Sequence, residues 1–262
     1  MTIRLGYQIP NFSYGTGVAE LFPTVIAQAR EADASGFDSV FVMDHFYQLP
    51  MLGDPYQPML EAYTALGALA TATENVQLGT LVTGNTYRNP TLLAKIITTL
   101  DVVSAGRAIL GIGTGWFELE HDALGYEFGT FTDRFNKLEE ALSIILPMVE
   151  GQRPTVSGRY YQTKEAAAEP RLRDHIPLLI GGSGEKKTFG LAARHFDHLN
   201  VIAAFPELPG KLEALARRCD EAGRDPATLE TSALVTVIPD ENMTEDQLPA
   251  EMAGRMVVGS PD

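Results

Sequence analysis

An aspartate and a histidine stand side by side at Asp44 and His45, directly after the apolar run 38–43, DSVFVM. A carboxylate next to the one side chain whose proton affinity lies near neutrality is a minimal device for moving a proton. The pair also reads as a turn cap followed by a satisfied rim histidine, and its place at a strand end favours the chemical reading. A second kind of chemistry lies in 177–187, PLLIGGSGEKK. Its apolar run stops at Gly181-Gly182-Ser183-Gly184, and a helix-like pattern follows. Glycines let a backbone approach an anion with no Cβ in the way, and the free N–H groups at the next helix start attract it. Phosphate suits such a junction; a tight turn that merely needs positive φ is the other reading.

Two further stretches combine small and hydroxyl-bearing residues: 79–85, GTLVTGN, and 111–116, GIGTGW. Glycines there would open space for a flat ring, and Thr80 and Thr114 would orient its polar edge. Close strand packing is the competing reading, and Trp116, the only tryptophan, reads as a ring contact or as a rim residue. Other chemistries find no support. His195 and His198 straddle a helix end and a strand start, His121 and His175 fall in loops, and no spacing resembles a zinc set, so no metal is expected. No GxSxG elbow is present for nucleophilic hydrolysis.

These residues need a scaffold that gathers the ends of several strands. Periodicity predicts strands over 3–9, 38–43, 76–82 and 107–112, separated by helices over 19–34, 59–72 and 90–103, with a fourth helix over 131–149. A polar insertion follows that helix at 151–175, with a small hairpin near Val156–Tyr160. Strands over 176–180, 197–202, 230–238 and 255–258 then alternate with helices over 186–194, 207–222 and 245–253. Eight strands with alternating helices point to an α/β fold, a (β/α)8 barrel formed by one domain over 1–262. No GxGxxG follows the first strand, which argues against an open doubly wound sheet. Gly259-Ser260-Pro261-Asp262 looks like a helix start, so the barrel's final helix is expected to be missing or truncated. In such a barrel the active site lies at the C-terminal ends of the strands, where all four candidate stretches fall.

Composition narrows the partners. The net charge of −14 argues against binding nucleic acid or an anionic membrane, since both require a basic footprint. The single Cys219 rules out a disulfide within the chain. There is no secretory leader pattern and no apolar run of about 18 residues, so a cytoplasmic location is expected.

Four motifs in register, DHF at 44–46, GTLVTGNTYRNP at 79–90, SAGRAILGIGTGWFELEH at 104–121 and IGGSGEKKTFGLAARHFDHLN at 180–200, resemble the bacterial luciferase-like superfamily. The chain looks like its actinobacterial branch of deazaflavin (coenzyme F420)-dependent oxidoreductases. The resemblance implies that Asp44 and His45 contact the deazaflavin, with His45 near the hydride-transferring carbon. It implies a non-prolyl cis peptide at Leu81-Val82 that supports the ring and a phosphate grip at Gly181, Gly182 and Ser183; the residues themselves add Thr80, Thr114, Trp116 and Gly184 as candidate cofactor contacts. Arg88, Lys186 and Lys187 are candidates for the cofactor's anionic tail. Glu120, in the family's GW-x-x-x-E pattern, would hydrogen-bond within the mouth or tie down its loop. Related sugar-phosphate dehydrogenases carry Glu where this chain has Trp116, and a Trp soon after the Asp-His pair, where this chain reads Phe46-Tyr47-Gln48-Leu49-Pro50.

The implied activity is hydride transfer between F420 and a small organic substrate, with His45 exchanging a proton and Asp44 fixing the ring edge or the imidazole. An FMN-dependent monooxygenase or reductase, and a barrel that binds a flavin without turnover, are the alternatives. A homodimer is expected by analogy. Specificity is expected from 11–17, 46–57 and the insertion, whose aromatics Phe12, Tyr14, Tyr47 and Tyr56 favour an apolar or planar substrate.

Overall fold

The computed structural model describes residues 3–240, 242–244, 247–248 and 253–259. They fall into two compact units divided after Pro177. In the first, β1 (Gly6–Ile9), β2 (Ser39–Val42) and β3 (Gln77–Thr80) form a parallel sheet in which Gly6 pairs with Ser39 and Ser39 with Gln77. β4 (Thr83–Gly84) pairs in parallel with β5 (Leu110–Gly113), and a single bridge joins Leu78 to Ala108. All four residues of β2 are buried, as expected of a parallel strand covered on both faces. Removing Val40, Phe41 and Val42 from water contributes about 1.5–3 kcal/mol each.

The intervening helices are α1 (Val18–Ala34), α2 (Ala62–Ala72), α3 (Pro90–Val103), α4 (Glu118–Leu124) and α5 (Phe131–Val149). Their starts are written locally. Asn89 accepts the Thr91 N–H at 2.9 Å and Pro90 fills the first position of α3. Thr130 and Asp133 form a reciprocal capping box on α5. The predicted helix over 59–72 starts later, at Ala62, where Glu61 accepts the Thr64 N–H.

Two findings depart from the periodicity. The strand expected over 76–82 stops at Thr80, and a cis peptide joins Leu81 to Val82 before β4 begins. α4 was absent from the reading because seven residues give too little periodicity to stand out; Gly125, at φ 74°, ends it in the left-handed conformation. In the 151–175 segment, β6 (Val156–Ser157) and β7 (Gln162–Thr163) form the expected small hairpin. Glu140 on α5 holds its turn, accepting the N–H groups of Arg159, Tyr160 and Tyr161 at 3.0, 2.9 and 2.6 Å.

In the second unit, β8 (Leu178–Gly181), β9 (His198–Val201) and β10 (Glu230–Ala233) run parallel, connected through α6 (Lys187–His195) and α7 (Leu208–Glu221). The single strand expected over 230–238 divides into β10 and β11 (Thr236–Pro239), and β11 pairs in parallel with β12 (Met256–Gly259). The helix expected over 245–253 lies largely outside the described residues, as does the 260–262 part of the proposed final helix start. No helix among the described residues is long and apolar enough to cross a membrane.

Candidate active site

Asp44 and His45 follow β2 immediately, yet their surroundings separate them. Asp44 is buried, and the Arg88 guanidinium grips it in a fork, Nη1 to Oδ2 at 2.6 Å and Nη2 to Oδ1 at 2.9 Å. The Gly84 N–H adds a third bond at 3.2 Å. Burial pushes the Asp44 carboxyl up, opposed by the charge and hydrogen bonds of Arg88. Burial also works against the Arg88 cation, but Asp44 and Glu61 more than offset it and raise its pKa. The two-pronged geometry is that of an ionised pair. Asp44 is thus engaged by Arg88 and Gly84 rather than by the imidazole, and it anchors the loop after β4. Arg88 also bonds Glu61 at 2.6 Å and lies over the Tyr63 ring, so it is spent on this network and unsuited to a cofactor tail.

Glu120, from α4, takes the place beside His45. His45 Nδ1 lies 2.8 Å from Glu120 Oε2, with the His45 side chain 14% exposed and the Glu120 side chain 0%. The same carboxylate accepts the Tyr87 hydroxyl at 2.5 Å, the Tyr47 N–H at 2.9 Å and the Phe46 N–H. Burial alone would raise its pKa; the bonds from His45, Tyr87 and Tyr47 outweigh that and hold it below the usual carboxylate range. Tyr87 is pushed the opposite way, by burial and by its bond to Glu120. Trp116 and Phe117 set their ring edges against His45, with centroids at 5.7 and 5.8 Å.

The remaining first-unit candidates divide by exposure. Thr80 is fully buried, and its hydroxyl bonds Thr83 Oγ1 at 2.7 Å and the Gly111 carbonyl at 3.2 Å, so it presents no polar edge to a ligand. Thr83 in turn meets the Tyr63 hydroxyl at 2.6 Å, and burial pushes that phenol up to about 12. Leu81, Val82 and Thr114 retain partial exposure, and Trp116 is 55% exposed. Gly79 and Gly111 serve strand packing: a Cβ on Gly79 would strike the Ile109 carbonyl, and one on Gly111 the Thr80 carbonyl.

In the second unit, Gly181 and Gly182 are partly exposed and Ser183 and Gly184 fully so. Gly182 has φ 144°, and a Cβ at Gly182 or Gly184 would press on Thr188 at 3.3 or 3.1 Å. Lys186 stands at the N-cap position before α6 and makes no side-chain cap bond. Lys211 ties the segment down, reaching Glu185 Oε1 at 2.8 Å and the Ser183 carbonyl at 3.3 Å.

Sequence reasoning missed the pairing of Asp44 with Arg88 and the part of Tyr87. Both contacts bridge more than thirty residues of chain, beyond any local spacing rule. The GW-x-x-x-E spacing was the only pointer to Glu120.

The family described as luciferase-like monooxygenase matches residues 3–255. An F420-dependent glucose-6-phosphate dehydrogenase of Microbacterium testaceum is 35% identical over 90% of this chain and 68% of its own length. An F420-dependent hydroxymycolic acid dehydrogenase of Mycobacterium tuberculosis is 30% identical over 87% of this chain and 64% of its own length. The chain spans between 46% and 68% of such curated relatives. A solved F420-dependent secondary alcohol dehydrogenase, in complex with an F420-acetone adduct, aligns over 94% of this chain and 73% of its own, with TM-score 0.80 and 26% identity. This likeness shows the fold class to be the (β/α)8 type expected from the alternation.

Proposed function

The chain belongs to the luciferase-like monooxygenase family, and we propose from that membership that it is an F420-dependent oxidoreductase acting on a small organic substrate. The observation that carries the reading is His45, held at the end of β2 by a buried carboxylate and walled by Trp116 and Phe117. The relatives named for F420 support the cofactor assignment.

The residues present fit such a group. Leu81, Val82, Thr114 and Trp116 keep exposed surface of the apolar and hydroxyl kind that a flat heterocycle meets. Gly181, Gly182, Ser183 and Gly184 form an exposed to partly exposed turn from the end of β8 toward α6, three of its four residues without a side chain, which suits close approach by a phosphate. When bound, the deazaflavin supplies two-electron hydride chemistry. The chain's own task is to orient, to exclude water and to manage one proton. His45 performs the last: with Nδ1 engaged by Glu120, its Nε2 is the atom that gives or takes the proton as the substrate's oxygen changes charge.

Titrating the protein with F420 and with FMN, followed by fluorescence quenching, tests the cofactor. F420 binding with no tight FMN binding is expected, and the reverse would make the chain a flavin enzyme. His45→Ala should bind F420 as the parent does while turnover falls about 10²–10⁴-fold. Unchanged turnover would refute the role of His45. Bound reduced cofactor that no electron acceptor reoxidises would refute an enzymatic function.

A further inference from the structure

We propose that Glu120 is a positioning residue for His45: it fixes Nδ1 as the protonated ring nitrogen and leaves Nε2 to exchange the proton. The inference rests on the oxidoreductase reading only for the use of that proton; the hold on the ring stands by itself.

The carboxylate is itself over-determined. Its two oxygens meet four donors: the His45 ring, the Tyr87 hydroxyl, and the N–H groups of Phe46 and Tyr47. The two N–H groups are fixed by the backbone and cannot reverse their direction, so a proton on Oε1 would have no acceptor there and would leave them unpaired. Oε2 could carry a proton only by donating it to His45 Nδ1 or to the Tyr87 oxygen, and the bonds that hold this carboxyl below the usual carboxylate range oppose that, so the carboxylate is ionised and accepts throughout. A ring nitrogen at 2.8 Å from it must therefore donate, which settles the imidazole tautomer. Nε2 makes no hydrogen bond to the described residues, whereas both ring nitrogens of His121, the neighbour of Glu120 in α4, are occupied by the Phe117 carbonyl and Thr86. Trp116 and Phe117 limit rotation of the His45 ring from two sides.

Other charges near this pair are already committed. Asp44 is neutralised by Arg88, whose second partner is Glu61, and the Tyr87 phenol is turned onto Glu120. Glu120 is thus the one anion in contact with the His45 ring among the described residues. An anion at that distance fixes the direction of the Nδ1 bond and with it the orientation of the ring.

The test is ring-nitrogen NMR of His45 across pH, on the full chain without cofactor. Neutral His45 should be wholly the Nδ1–H tautomer. In Glu120→Gln, whose amide can donate as well as accept, both tautomers should appear. The Kd for F420 should change less than twofold in this variant. An Nε2–H tautomer in the parent, or an unaltered tautomer population in folded Glu120→Gln, overturns the proposal. If Glu120→Gln does not fold, the tautomer in the parent decides alone. A chain that shows the expected tautomer but turns over neither F420 nor FMN refutes the oxidoreductase reading and upholds the hold of Glu120 on the ring.

Discussion

Adjacent residues can differ completely in what they are able to do. Asp44 is closed in by a guanidinium fork and His45 is left with one ring nitrogen to act. Removing the fork exposes the difference: Arg88→Ala leaves a buried carboxylate without a partner and should cost about 3–5 kcal/mol in denaturant unfolding. Arg88→Lys should recover only part, because an ammonium cannot make both bonds to Asp44 while reaching Glu61. Glu120 carries a pH signature. Its pKa is lower in the folded chain than in the unfolded one, so its contribution is full above the unfolded value and is lost as pH falls through the folded value. The stability gap between the parent and Glu120→Gln should therefore be constant near neutrality and shrink below about pH 4, read from melting curves. Trp116 bears on the substrate: with an indole where related sugar-phosphate dehydrogenases place a carboxylate, glucose-6-phosphate should give no turnover above background in an F420-coupled assay.

Among the elements, β5 has the narrowest tolerance. Gly111 stands where a methyl group would collide with the Thr80 carbonyl, a backbone atom that cannot move aside as a side chain can. Gly111→Ala should destabilise the protein by about 1–3 kcal/mol, measured by chemical unfolding. Much of this level was legible beforehand. α3 and α5 announced themselves through Asn89-Pro90 and through the Thr130/Asp133 box, because caps and helical period are local properties. β2 was legible because a strand buried on both faces is an unbroken apolar run. The end of β3 at Thr80 was not legible in the periodicity, since Leu81-Val82 continues the apolar pattern, but the cis peptide that breaks the ladder there was expected from the family resemblance. The candidate site was legible in parts: His45 by type and position, Glu120 by its spacing, and the glycine segment by composition. The partnership of Asp44 with Arg88 was hidden, because ion pairing across 44 residues depends on how strands are brought together.

For the whole molecule, the two units contribute different chemistry. The first carries the acid–base residues, and the second carries the glycine segment between β8 and α6. With a net charge of −14, the chain should pass a heparin column unretained at about 0.1 M salt. Family membership explains why the alternation could be read at all: each βα step is a local pattern repeated.

The convergence on Glu120 also limits how the protein can be re-engineered. Phe46 and Tyr47 open the segment expected to choose the substrate, and their backbone is fastened to the carboxylate that steadies His45. Replacing that segment with one from a relative would loosen the histidine as well as reshape the entrance. A graft that begins beyond Tyr47 keeps the fastening and should exchange selectivity without surrendering rate; one that begins at Phe46 should lose both together.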